Sequence, residues 1–502
     1  MNPNRHKHRI CAVLAASVLL LAGCRENGPD LASLPPLETD IDSETAAADY
    51  DKQDGNTNVH HASLLTGTLS DGIGYTVYND GELALSGGDL TAKLSEEQVL
   101  KGHLDNITCL SFGEGVGVIG EKACADLPNV QKLIFADGVA EIGAYAFSGC
   151  TAVKDLKFTE QLKKLGDYAF SDCSDLKDVS LGGASEMGMG VFKGCTSLVS
   201  VTAESDIPDH AFSDCTALET VAFSENIHAI GKNAFSGCSA LKQFELPRGL
   251  ESIGAYAFAD CTSVAALTIP ENLREIGENA FAGCELLKHL KLGNVQKIGE
   301  MAFADCFALS TLLFPREGAV SIGVSAFTNC SSLKSLNLGA SVQEIGNYAF
   351  SGCSQLDNVT IGENVTAMGE ELFSGCTSLK LLSVSSNIGD KSFQGCHALT
   401  TVQFGGQVTE IGSSGFEGCT ALSELKIPEG ITGIGQKAFA ECTGLQTISF
   451  PKSLKTIGYG ALYNDMGLTE IRYKGSQGQW NGVKREKDWN TNISDAEMTF
   501  GA

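Results

Sequence analysis

Basic residues are the scarce class in this chain: 35 Lys and Arg stand against 61 Asp and Glu, a formal net charge of −26. Nucleic acids and anionic membrane surfaces are bound through basic footprints, so neither is an expected partner. Proline is scarce too, at 11 of 502 residues, while the 57 glycines show no collagen-like period. With 43% hydrophobic residues the chain is neither fibrous nor wholly disordered, and a substantial folded body is expected. Catalytic signatures are also missing: there is no His-Glu-x-x-His, no Gly-x-Ser-x-Gly and no P-loop. No constellation of acid, base and nucleophile emerges, so the expectation is a protein that is not an enzyme and needs no cofactor.

The apolar run Ile10 to Ala22 is 13 residues long, shorter than the roughly 20 that a spanning helix requires. It follows Arg5, Lys7 and Arg9, the charge order of a secretory signal. The run ends in Leu21-Ala22-Gly23-Cys24, which resembles the bacterial lipobox. That resemblance implies a lipoprotein signal peptide over residues 1–23 and a diacylglyceryl group on Cys24. It also implies an anchor of two or three acyl chains, since each buried methylene contributes only about 0.8 kcal/mol and one chain holds marginally. Residues 24–60 read as a flexible acidic tether, with nine acidic against two basic residues between 25 and 58. Arg25 and Glu26 leave no aspartate at the second mature position, which by resemblance to Gram-negative lipoproteins permits outer-membrane sorting.

A unit of about 23 residues then recurs from 116 to 473. Ile142-Gly-x-x-Ala146-Phe147-x-x-Cys150-x-x-Val153-x-x-Leu156-x-Phe158 aligns with Ile253-Gly-x-x-Ala257-Phe258-x-x-Cys261-x-x-Val264-x-x-Leu267-x-Ile269. The Phe-x-x-Cys pair appears fourteen times, at intervals of 20 to 24 residues. The two 20-residue intervals, Cys195 to Cys215 and Cys376 to Cys396, shorten the segment between strand and Ile-Gly. Apolar residues two apart at the end of each unit point to one face of a short strand. Ala-Phe fills the opposite wall, and the glycine after Ile is read as permitting a tight corner. No unit can bury its apolar side alone, so neighbours supply one another's core. The predicted fold is a right-handed solenoid of about 16 coils, a parallel β-strand ladder joined by turns and short helical turns. Residues 61–115 look like the β-rich lead-in, and residues 474–502 like the cap, found at the ends of such arrays.

Fourteen cysteines at one repeat position form a column with parallel side chains, which opposes the convergent geometry of a disulfide. No Cys-x-x-Cys pair offers zinc ligands, so buried apolar thiols and no metal are expected. Gly115-Val-Gly117-Val-Ile-Gly120 matches a dinucleotide fingerprint in letters but sits at a repeat corner with no full helix to follow.

With these motifs, the array resembles the BspA-like leucine-rich-repeat family of bacterial surface proteins. Pro247, Pro270, Pro315, Pro428 and Pro451 fall at the strand end as that pattern has them, and Gln479-Trp480-Asn481 looks like its C-terminal cap. The resemblance implies a leucine-rich-repeat fold, exposure at the cell surface and adhesion to host or bacterial molecules. It implies no catalytic residue and fixes no partner.

The outward strand positions run from Asp155 and Lys157 to Glu470 and Arg472. Of these thirty, twelve are Ser or Thr, and five acidic residues face four basic ones. This strip is nearly neutral on a strongly acidic chain. Its candidate binding residues are Thr202, Thr220, Gln243, Thr268, His289, Lys291, Thr311, Ser335, Asn337, Asn358, Thr360, Thr401 and Gln403. The expected partner is a protein or glycan, met by a lipid-anchored adhesin-like protein. The alternative is a passive spacer, which the lack of aromatic residues in the strip keeps open.

Overall fold

The computed structural model describes residues 62–501 apart from 182, 183, 243 and 494. The segments read as signal peptide and tether, with Cys24, and Gln243 lie outside the described residues.

The coil between Cys284 and Cys306 shows how the repeat folds. In the front strand His289–Lys291, Leu290 points inward and is buried while its two neighbours face out. Leu292 and Val295 keep the chain on the core as it crosses to the back strand Lys297–Ile298, where Ile298 is buried. Gly299 follows, then Ala302, Phe303 and Cys306, all fully buried. Inward and outward residues alternate for only a few positions before the glycine, so each coil makes two very short strands.

Neighbouring coils pair in parallel and in register. Leu267, Leu290 and Leu312 align along the front ladder, and Ile276 and Ile298 along the back ladder. About eighteen front strands succeed one another, more than the 16 coils predicted from the motif. The difference lies at the ends. Glu82–Ser86 pairs parallel with Cys109–Phe112, and Glu497–Phe500 with Glu470–Tyr473, although neither outer strand carries a Phe-x-x-Cys unit. Beyond the first of these, Ser63–Thr68 and Gly74–Tyr78 pair antiparallel and cover the ladder's edge. At the far end a capping box on Ser476 starts the helix Gln477–Asn481 and brings Trp480 to 5.9 Å from Phe450 and 5.1 Å from Tyr473.

The repeated phenylalanines form one continuous column from Phe147 to Phe439. Consecutive ring centroids are 5.1 to 5.7 Å apart, and the rings are parallel to within 17°. Each ring contributes about 1.5–3 kcal/mol by burial, and stacking adds roughly 0.5–1.5 kcal/mol per pair. Cys124 holds the Phe place in the coil before Phe147, and there Phe112 and Phe135 supply the missing aromatic contact edge-on.

The glycine after each Ile has a different cause from the corner predicted. Gly254, Gly277 and Gly299 do not adopt positive φ. A Cβ on Gly277 would lie 2.6 Å from the carbonyl carbon of Gly254 and 2.7 Å from the amide nitrogen of Ala255. The glycines form a column where successive backbones touch, and the absent side chain sets the coil spacing. Positive φ falls elsewhere, including the residue before each ladder cysteine, such as Gly283 at 72° and Asp260 at 59°.

Each ladder thiol donates to the carbonyl of the residue at the Phe place one coil earlier. Cys173 reaches Phe147 at 3.3 Å, Cys238 reaches Phe212 at 3.2 Å and Cys442 reaches Phe416 at 3.2 Å. Asp465 takes the cysteine place in the next coil. It is fully buried, and among the described residues neither carboxyl oxygen has a hydrogen-bond partner within bonding distance. Burial pushes its pKa up to about 8, an effect that the Cys442 backbone offsets only in part. The folded pKa exceeds the unfolded one, so stability is full below pH about 4 and falls as pH rises to about 8. Asp465→Cys is therefore expected to stabilise the C-terminal coils by on the order of 3 kcal/mol at pH 8 and by much less at pH 4. Urea melts of both proteins at the two pH values check this, and an equal gain at both would reject the titration argument.

Two coils are short, Cys195 to Cys215 and Cys376 to Cys396, and both are 181 residues apart. Pro247 and Pro428, and Pro270 and Pro451, repeat at the same offset, so the array carries an eight-coil superperiod. In each short coil an Asx side chain replaces lost backbone pairing. Asp206 Oδ1 accepts from the amides of His228 and Ala229 (2.7 and 3.1 Å), and Asn387 Oδ1 from those of Thr409 and Glu410 (2.7 and 3.1 Å).

Candidate functional site

The front ladder places the outward residues in two parallel columns because the coils stack in register. Asp178, Ser200 and Thr220 form part of one column, and Ser180, Thr202 and Ala222 part of the other. Thr202, Thr220, Thr268, His289, Lys291, Ser335, Asn337, Asn358, Thr360, Thr401 and Gln403 are exposed there, and Thr311 is half-buried. The structure thus brings the described candidate residues onto one face, spread along its length and not gathered at a point.

Their side chains are largely uncommitted. Ser383 Oγ donates to Gln403 Oε1 at 3.0 Å, while a recurring set of hydroxyl contacts to backbone occurs in a different column that the sequence reading missed. That column is the residue after each ladder cysteine. Ser174 Oγ donates to the Thr151 carbonyl at 3.4 Å, and Thr262 to that of Ser239 at 3.3 Å. The recurring Ser or Thr at that place was the available signal. Ion pairs along the strip margin, Lys242 with Glu219 at 3.1 Å and Lys380 with Asp357 at 3.2 Å, are exposed and worth little individually.

Apolar side chains interrupt the strip at Ile134, Leu313 and Leu381, which are 40%, 53% and 38% exposed. A concavity of about 460 Å³ opens at its edge, lined in part by Ser335, Asn358, Gln355, Lys334 and Lys380. A second, of about 410 Å³, lies at the back edge beside the short coil Cys376–Cys396. The sequence placed the short coil but not the space it opens.

The cysteine column offers no reactive group to either face. The ladder cysteines are buried and free, and burial pushes Cys150, Cys306 and Cys376 up to about 12. Cys109, half-buried beside Glu82, is also raised by burial. Among the described residues no group of three His, Cys, Asp or Glu side chains is arranged to hold a metal ion. The stretch Gly115 to Gly120 contains the two-residue strand Val118–Ile119, paired with Glu141–Ile142, and turns follow it.

A stack of coils with an in-register parallel ladder, a leucine or valine rung and a buried Phe column defines a leucine-rich-repeat solenoid. The BspA-type leucine-rich-repeat region matches residues 101–208, 205–320, 313–388 and 381–481, and the chain belongs to that family. It is similar in structure to a leucine-rich-repeat protein of Bacteroides ovatus, with 26% identity and a TM-score of 0.57 over 85% of this chain and 98% of the other. It is also similar to a leucine-rich cell surface protein of Faecalibacterium prausnitzii, with 24% identity and a TM-score of 0.35 over 84% of this chain and 98% of the other. No curated protein matches the chain.

Proposed function

We propose that this protein is a lipid-anchored binding protein of the bacterial cell surface that presents its front strand strip to a protein or glycan. The observation that carries the reading is the strip itself: two columns of exposed, short polar side chains, nearly neutral on a chain of net charge −26. Solenoids offer extended surfaces of this kind, to which partners dock along several repeats. Catalysis forms no part of the reading. Cys24 is the proposed lipid site, with the outer membrane as destination in a Gram-negative cell. Binding through uncharged hydroxyls and amides is expected to depend weakly on salt.

The spacer alternative draws on one observation, the absence of aromatic side chains from the outward strand positions. Protease shaving of intact cells, followed by mass spectrometry, separates anchored display from other locations. Repeat peptides are expected from intact wild-type cells, and for Cys24→Ala mainly from the medium. Wild-type repeats that resist protease until the envelope is broken would defeat the surface reading.

A further inference from the structure

We infer that the notch beside the short coil Cys376–Cys396 is a binding site for one neutral sugar residue of a glycan. The inference rests on the reading of the solenoid as a binding module but places the contact away from the front strip.

The notch arises from a missing rung. In full-length coils a buried aliphatic residue closes the edge between front and back strands: Val342, Val365, Val408 and Ile431 are such residues. The short coil passes directly from Leu381–Val384 to Ile388 through Ser385, Ser386 and Asn387, so nothing fills the place between Val365 and Val408. A concavity of about 410 Å³ results, enough for a single sugar ring by the ordinary size range of small-ligand sites. The preceding coil carries Met368 where most coils carry a buried Ile, and Met368 is half-buried at the wall of the notch. The first short coil is preceded in the same way by a half-buried Met187. A flexible thioether here supplies an adaptable apolar wall.

The rim has the opposite character. Glu363 and Gln407 are exposed, line the notch and make no side-chain hydrogen bond among the described residues. Asn387 is fixed through its oxygen, which accepts from the Thr409 amide at 2.7 Å, the Thr409 hydroxyl at 3.1 Å and the Glu410 amide at 3.1 Å. Its Nδ2 donors are left uncommitted. Ser386 also lines the notch, is more than nine-tenths buried, and its hydroxyl has no partner among the described residues. An apolar wall with a rim of amide, carboxylate and hydroxyl groups matches a sugar ring, with C–H groups on its faces and hydroxyls around its edge. A bare apolar side chain would leave the rim unmatched.

The equivalent place by the first short coil is a natural contrast. There Glu186, Glu204 and Asp206 stand where Ala367, Ser385 and Asn387 stand in the second. Three carboxylates beside one amide, that of Asn226 at the place of Gln407, favour charged neighbours over a neutral sugar, so the site is assigned to the second short coil alone.

Saturation-transfer NMR on the purified full chain tests this, using the methyl glycosides of glucose, galactose, mannose and N-acetylglucosamine as probes. Wild type is expected to transfer saturation to at least one of them. Glu363→Ala combined with Gln407→Ala is expected to weaken that binding about tenfold or more, the equivalent of about 1.4 kcal/mol, with an unchanged melting temperature because both residues are exposed. Ser335→Ala combined with Asn358→Ala on the front strip is expected to leave transfer intact. No transfer from wild type to any probe, or undiminished transfer from the notch variant, overturns the site. Loss in the front variant alone overturns it too, while leaving the proposed front-strip function standing.

Discussion

Raising the pH above about 9 is expected to unfold the solenoid cooperatively, with the ladder thiols ionising in the same transition. Burial raises the ladder thiols above their ordinary value of 9.0, with Cys150, Cys306 and Cys376 near 12. The folded pKa lies above the unfolded one, so this contribution is complete below pH 9 and is lost as pH rises toward the folded values. One pH unit above 9, each thiol favours the unfolded chain by roughly 1 kcal/mol. Fourteen of them together reach on the order of 10 kcal/mol, which rivals the whole stability of a typical domain. Circular dichroism and thiolate absorbance followed on one titration check the point. Thiolate signal that grows near pH 9 while the ladder stays folded would show that the column is open to water.

Gly277→Ala is expected to destabilise the array by about 3 kcal/mol, an unusually large effect for one methyl group. The added Cβ would meet backbone atoms of Gly254 and Ala255 at 2.6 to 2.8 Å. No side chain can rotate aside, so the two coils must separate, and the ladder bonds and the stacked pair Phe258 and Phe281 at 5.2 Å are strained with them. Gly406→Ala is the control, since a Cβ there meets nothing within 4 Å. Urea unfolding should put the control within about 0.5 kcal/mol of wild type. Because repeats couple only to neighbours, the Gly277 variant is also expected to broaden the transition. Equal stability of the two variants would mean that the coils have slack at this column.

The contrast between Gly277 and Cys284 shows where sequence reading reached and where it stopped. Both recur with the repeat, and recurrence alone gave each a fixed place in a stacked coil. Cys284 was read as a buried apolar thiol, and it is buried; its donation to the Phe258 carbonyl at 3.5 Å came only from the structure. Gly277 was read as a corner residue, whereas its backbone is ordinary and its neighbour one coil away is the constraint. A pattern along the chain reports which residues are equivalent, but not which atoms of the next coil they meet.

The front strip was legible for a similar reason. Alternation within each strand fixed which residues face outward, and a common register was enough to make Thr268, Lys291 and Leu313 neighbours. The notch was not legible. A 20-residue interval in the sequence marks a deletion, but the space it leaves depends on Val365, Met368 and Gln407, drawn from the two flanking coils.

The sequence by itself determined the repeat, its core positions, the outward strip and the family resemblance, because each follows from periodicity within one chain. Tertiary structure alone decided the number of turns, the reason for each glycine, the isolation of Asp465 and the shape of the notch. Those depend on contacts between coils some 20 residues apart, and periodicity along the chain does not say which atoms of neighbouring coils meet or where volume is missing.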